Sequence, residues 1–108
     1  MLDLTLQREL YKIKWLDGAV LQLKPPTQRQ YLLIQAIQNA KEYTDIIYSV
    51  YDTTSEIINN NANHRVVENV AELGLDTCLL VLKDYFEFYS KQMEESVVFP
   101  HTQQQNQI

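Results

Sequence analysis

The feature that most constrains this chain is an alternating segment centred on Asp17-Gly18. Apolar side chains alternate with lysines before this dipeptide, in the order Tyr11, Lys12, Ile13, Lys14, Trp15. A second alternating segment, residues 19–23, follows it. An Asp-Gly pair between two alternating segments is a strong local signal for a β-hairpin. The sequence therefore predicts a hairpin over residues 10–24.

The register of this hairpin follows from the requirement that one face be apolar. A two-residue turn at Asp17-Gly18 would place Lys12 opposite Leu23 and would mix the two faces. A three-residue loop, with Gly18 in the left-handed region, places Tyr11 opposite Leu23 instead. Because a one-residue slip moves every side chain to the opposite face, we predict the three-residue loop. It leaves an apolar face to be covered and presents both lysines to water.

Helical patterns follow the hairpin. Pro25-Pro26 ends it, and Thr27 with Gln30 forms a capping box that opens a helix. Apolar residues at spacings of three and four predict helix over residues 28–58, bent or broken near Thr44-Asp45 or near residues 52–54. An asparagine-rich loop separates this region from the second half of the chain.

The second half is predicted to hold two more helices. A short helix over residues 66–73 ends at Gly74 as a left-handed C′ residue. Asp76 is the predicted N-cap of a long helix over residues 77–95. The predicted fold class is α+β, mostly α: one domain over residues 10–96, in which the hairpin packs on a small helical bundle.

The two ends of the chain have patterns that differ from the body. Leucines alternate with polar residues within residues 1–9, which we predict to be an arm or a short strand. Residues 97–108 are rich in glutamine and are predicted to be a disordered tail.

Composition narrows the classes of function. The single cysteine, Cys78, fits a reducing compartment, and no signal peptide or apolar run of membrane-spanning length is evident. We therefore expect a cytoplasmic protein without a membrane partner. Residues 1–29 hold five basic and three acidic side chains, whereas the remainder holds four basic and eleven acidic ones. An acidic body disfavours binding to nucleic acid.

The sequence offers no constellation typical of catalysis. The two histidines, His64 and His101, lie in a predicted loop and in the tail, with no second ligand at a usable spacing. Phosphate loops, nucleophile elbows and convergent polar sets are not found. We therefore expect a protein that is not an enzyme, with no catalytic residues, metal, cofactor or small-molecule ligand.

The last helix carries two apolar stripes, offset by one residue. The first consists of Leu79, Leu82, Phe86, Tyr89 and Met93, and the second of Cys78, Val81, Tyr85 and Phe88. Together they are wider than one core-facing side of a helix. The helix is therefore either buried on two sides, or one stripe forms the core and the other an interface.

On the second reading, the first stripe faces the core. The predicted protein interface then consists of the second stripe together with the hairpin lysines: Cys78, Val81, Tyr85, Phe88, Lys12 and Lys14. The basic hairpin and the acidic body carry opposite charges on different surfaces, which also favours a head-to-tail homo-oligomer.

A family resemblance rests on the order of short motifs. These are Trp15-Leu16-Asp17-Gly18, then Lys24-Pro25-Pro26-Thr27, an asparagine-rich loop, Leu75-Asp76, and Lys83-Asp84-Tyr85-Phe86-Glu87-Phe88. Over residues 10–95 the chain resembles the small tail assembly chaperones of long-tailed bacteriophages. The resemblance implies a protein that acts in the host cytoplasm, coats the tape-measure protein and recruits tail-tube subunits. It also implies absence from the finished virion and, in many members, a longer frameshifted form.

Two other classes of function also fit a sequence without a catalytic or metal-binding constellation. One is a structural or completion component of a virion, and the other is a small cytoplasmic inhibitor or adaptor protein. Presence in purified particles would favour the first, and capture of a single host protein would favour the second.

Overall fold

A computed structural model describes residues 9–96 of the chain, and their side chains up to residue 94. The predictions for residues 1–8 and for the tail, residues 97–108, lie outside this part. Residues 9–96 form two strands, three α-helices and one turn of 3-10 helix at Val70–Glu72. In chain order, the strands and α-helices are β1 (Tyr11–Lys14), β2 (Val20–Leu23), α1 (Gln28–Asn39), α2 (Tyr43–Asn59) and α3 (Leu75–Ser96). The predicted α+β, mostly α fold is confirmed.

The hairpin has the predicted register. Tyr11 lies opposite Leu23, and Lys12 lies opposite Gln22. The Trp15 carbonyl accepts from the Gly18 N–H at 2.9 Å, and Gly18 has φ +89°. Local chemistry therefore fixes this turn, because glycine reaches the left-handed region without the cost that a Cβ brings.

A third segment covers the outer edge of β2, which the sequence did not indicate. Gln22 donates its backbone N–H to Asn63 Oδ1 at 2.9 Å and accepts from the Ala62 N–H at 2.8 Å. The Lys24 N–H donates to the Asn60 carbonyl at 2.9 Å. The asparagine-rich loop thus pairs with β2 as a short third strand would.

The first helical region is two helices, as one of the predicted alternatives had it. Thr27 and Gln30 form the predicted capping box. The break lies at residues 40–42, a little before the predicted Thr44-Asp45, and residues 52–54 continue inside α2. The buried Thr54 hydroxyl is satisfied inside this helix by donating to the Val50 carbonyl at 2.7 Å.

The predicted helix over residues 66–73 is wrong, apart from the 3-10 turn. Asparagine side chains bind the backbone of Val67 in this segment and of Arg65 just before it, in place of helical hydrogen bonds. Asn59 accepts from the Val67 N–H at 2.7 Å and donates to its carbonyl at 3.0 Å. Asn61 does the same for Arg65, at 2.9 Å in both bonds.

The long helix begins two residues earlier than predicted. The Cys78 N–H donates to the Gly74 carbonyl at 3.1 Å, which is the first helical bond of α3. Gly74 is therefore at the start of α3 and does not have the predicted left-handed conformation. Asp76 lies within the first turn, where its carboxylate interacts favourably with the positive end of the helix dipole.

The core lies between the hairpin and the helices. α2 contacts α1, α3, β2 and the 3-10 turn, while β1 contacts α3. Tyr51 donates its hydroxyl to the Leu73 carbonyl at 2.6 Å, so α3 begins beside the middle of α2. The buried apolar residues are Trp15, Leu21, Leu23, Val50, Ile57, Ile58, Val67, Val70, Cys78, Val81, Leu82, Tyr85 and Tyr89.

Candidate protein-interaction surface

The stripe of α3 that was predicted to form an interface is mostly core. Cys78 and Tyr85 have 0% of their surface exposed, and Val81 has 8%. The prediction that these three residues lie on the surface is wrong. Its cause is that the hairpin and α2 both pack on this side of α3, and the sequence pattern does not state where the neighbours of a helix lie.

Two buried tyrosines of α3 hold the end of the hairpin. The Tyr85 hydroxyl donates to the Lys24 carbonyl at 2.5 Å. The Tyr89 hydroxyl accepts from the Tyr11 N–H at 2.9 Å and donates to the Leu23 carbonyl. Burial raises the pKa of both hydroxyls above the ordinary value. These side chains therefore serve the fold and are closed to a partner.

The stripe that was predicted to face the core is divided. Leu82 and Tyr89 are buried as predicted. Leu79 is 45% exposed and Met93 is 47% exposed, so the prediction is wrong for these two. Phe86 lies between them on the helix and is partly buried against the core.

These partly exposed residues form one apolar row. Leu79, Phe86 and Met93 are seven residues apart, close to two helical turns, and therefore lie on one side of α3. Tyr31 of α1 packs beside the middle of the row, with its ring centroid 5.8 Å from that of Phe86. We call this surface, formed by Tyr31, Leu79, Phe86 and Met93, the α3 row. It is about 21 Å long from residue 79 to residue 93.

Charged side chains border the α3 row on its solvent side. Asp76, Glu87 and Glu94 are exposed and are eleven and seven residues apart, so they follow a line next to the row. Lys83 is exposed between them. The border is therefore mainly acidic, as the net charge of the second half of the chain leads one to expect.

The remaining predicted interface residues lie around β1. Lys12 and Lys14 are exposed, as predicted for the outer face of the hairpin. Phe88 is partly buried, and its ring centroid is 5.5 Å from that of Tyr11. The Tyr11 hydroxyl donates to Asp84 at 2.6 Å, and burial, with this hydrogen bond and the negative charge of Asp84, raises the pKa of Tyr11.

Sequence reasoning did not single out Tyr31. The sequence held no signal for it, because the position of Tyr31 follows from the burial of its neighbour Gln30, which only the fold establishes. A residue next to a buried one on a helix lies about 100° away, at the edge of the core-facing side.

Residues 9–96 also contain groups that bear on chemical sites. No group of three or more histidine, cysteine, aspartate or glutamate side chains is placed to hold a metal ion there. The Cys78 thiol is buried, and burial raises its pKa. A shallow depression of about 320 Å³ lies along α1 and is lined by Gln28, Arg29, Leu32 and Leu33. None of the helices in this part of the chain is long and apolar enough to cross a membrane.

Comparisons of the chain with protein-family models, with curated proteins and with solved structures find no match.

Proposed function

We propose that this chain is a non-catalytic protein-binding protein that holds a helical partner along the α3 row. The observation that supports this is the row of apolar side chains that α3 leaves exposed beside Tyr31. A client helix of about fourteen residues has the same length, and helices bind such surfaces through apolar side chains at spacings of three, four and seven.

The resemblance to tail assembly chaperones gives the proposal its specific form. The client is then a tape-measure protein, a long helical chain that is prone to aggregate before the tail tube surrounds it. The chaperone acts in the host cytoplasm, covers the apolar stripe of the client and recruits tail-tube subunits. Affinity per copy is modest, because the loss of rigid-body freedom offsets much of the gain from burial.

Many copies along one client favour contact between neighbours, so we include self-association in the proposal. Because Cys78, Val81 and Tyr85 are buried, the interaction that still favours self-association is charge. Lys12 and Lys14 of one copy face the acidic border of the next. Light scattering at tens of micromolar protein tests it, with association at low salt and dissociation at high salt expected. A monomer under both conditions would exclude it.

The principal experiment is co-expression with the tape-measure protein encoded by the same genome. The expected result is a more soluble client and a co-purifying complex. Leu79→Glu and Met93→Glu place a charge against the client, so each should lower co-purification by about tenfold or more.

Leu80→Glu is the matched control. Leu80 is 65% exposed but lies outside the row, so this variant should keep the client. If the client is equally soluble without the chain and nothing co-purifies, the chaperone proposal is wrong. The chain is then better explained as a structural component, if it occurs in particles, or as an inhibitor or adaptor, if a host protein co-purifies.

A further inference from the structure

The two outer edges of the hairpin differ. The backbone of Gln22 points away from β1, because its N–H and carbonyl bind Asn63 and Ala62. In an antiparallel pair, the opposite residue then also points its N–H and carbonyl outward. That residue is Lys12, and Lys14 follows two positions later with the same orientation.

The outward groups of β1 have no partner within the described part of the chain. Among residues 9–96, no hydrogen bond is made by the N–H or carbonyl of Lys12 or Lys14 outside the hairpin ladder. Within these described residues, the edge of β2 is covered, whereas that of β1 presents a short row of free donors and acceptors. Such a row is a template for a further strand.

The side chains around this edge define what that strand must carry. Above the sheet, Lys12 and Lys14 project into solvent. Below the sheet, Phe88 of α3 is partly exposed and contacts Tyr11. A strand added at the edge would place alternate side chains beside the lysines and beside Phe88.

A second copy of the hairpin does not fit this edge. Pairing of β1 with β1 of another copy would set lysines beside lysines on the same face of the sheet, and like charges directly opposite one another destabilise a strand pair. Lysines on an edge strand also repel strands with basic side chains and discourage nonspecific edge-to-edge pairing. An acidic strand gains from the same lysines, because opposite charges across a pair are favourable.

We propose that the free edge of β1 binds an extended segment of a partner protein in which acidic and apolar side chains alternate. The acidic side chains pair with Lys12 and Lys14, the apolar ones cover Phe88, and the backbone supplies the hydrogen bonds. This site is separate from the α3 row, but it uses the same Lys12 and Lys14 that the proposed self-association sets against a neighbouring copy, so a bound strand and that neighbour compete.

The test is fluorescence anisotropy with the full chain and a labelled heptapeptide that alternates valine and glutamate. A peptide with lysine in place of glutamate serves as the first control, and one with the same residues grouped rather than alternating as the second. The proposal predicts saturable binding of the alternating acidic peptide and at least about tenfold weaker binding of both controls.

Variants separate backbone pairing from charge. Lys12→Gln removes the charge and keeps the outward N–H, whereas Lys12→Pro removes both and leaves the hairpin ladder intact, since proline is tolerated at strand edges. Lys12→Pro should therefore bind more weakly than Lys12→Gln, at equal thermal stability. If the proline variant unfolds, the comparison of Lys12→Gln and Lys14→Gln with the unmodified chain still tests the charge pairing.

Several results would overturn the proposal. Equal binding of the lysine peptide, or of Lys12→Pro and Lys12→Gln when both are folded, would do so. Leu79→Glu should bind the peptide normally, and a loss of binding there would assign the peptide to the α3 row. Residues 2–6 also alternate leucine with Asp3 and Thr5. If the peptide binds only to a chain without them, the edge belongs to this chain itself and not to a partner.

Discussion

The Tyr89 hydroxyl donates a hydrogen bond to the Leu23 carbonyl and so connects the long helix to the end of β2. The same hydroxyl accepts from the N–H of Tyr11, the residue opposite Leu23 in the hairpin. One side chain of α3 thus completes the last pair of the hairpin. Because an isolated two-stranded hairpin is marginal in water, this buried contact is one of the polar attachments that hold the hairpin on the bundle.

Removal of that hydroxyl should measure the attachment. Tyr89→Phe leaves the ring in place but removes the partner of both the Tyr11 N–H and the Leu23 carbonyl, in a buried position. We expect a loss of about 1–3 kcal/mol in the free energy of unfolding, measured by urea denaturation. Tyr48→Phe, on the exposed side of α2, is the control and should change little. Equal stability of the two variants would mean that the Tyr89 contact does not support the hairpin.

The two stripes of α3 should respond to truncation according to their burial. Tyr85→Ala removes a fully buried ring and should cost about 3–5 kcal/mol, enough to unfold much of a small domain. Leu79→Ala removes a half-exposed side chain and should cost less than about 1 kcal/mol. Thermal melts of the two variants decide the assignment. A melting temperature lowered more by Leu79→Ala than by Tyr85→Ala would contradict the packing described here.

The hairpin could be predicted from the sequence because its determinants are local. The Asp17-Gly18 turn and the period of two leave one register with an apolar face, and β1 and β2 have it. The capping box at Thr27 is local in the same way. Each of these features involves residues that are neighbours in the chain, so no knowledge of the rest of the fold was needed.

The errors concern contacts between distant parts of the chain. The stripes of α3 differ by one residue, and the choice between them depends on where the hairpin and α2 pack. The segment at residues 66–73 has apolar residues at helical spacing, yet Asn59 binds the backbone of Val67 within it, and Asn61 binds that of Arg65 just before it. The edge of β2 covered by residues 60–63 could not be predicted for the same reason.

The turn glycine gives a prediction that depends on backbone conformation alone. Gly18 has φ +89°, and a Cβ added to it would meet no atom within 4 Å. Gly18→Ala should therefore cost about 1–2 kcal/mol from the left-handed backbone and nothing from crowding. Gly18→Asn should recover most of this loss, since asparagine tolerates that region. Urea denaturation of the two variants is the measurement, and equal losses would show that the backbone is not the cause.

Alkaline pH should destabilise the fold through the buried tyrosines. Burial raises the pKa of Tyr11, Tyr85 and Tyr89 in the folded state above the value of about 10 in an unfolded chain. Between the unfolded pKa and the raised pKa of the folded state, the folded chain keeps protons that the unfolded chain has lost. The contribution of these tyrosines to the free energy of unfolding is therefore fully present below pH 10 and is lost as the pH rises above it.

Thermal melts from pH 8 to pH 11.5 test this dependence. Tyr85→Phe removes one of the titrating groups, so its melting temperature should fall less steeply above pH 10 than that of the unmodified chain. If both slopes are the same, ionisation of Tyr85 does not contribute to alkaline unfolding.

The most direct test of the proposed binding surface is the rate of thiol labelling at single cysteines. Cysteine is placed at position 79, 80 or 93 in a chain carrying Cys78→Ala, and each thiol is labelled with and without the co-purified client. The account predicts that the client slows labelling strongly at positions 79 and 93, within the α3 row, and little at position 80. Protection at position 80 with none at positions 79 and 93 would contradict it.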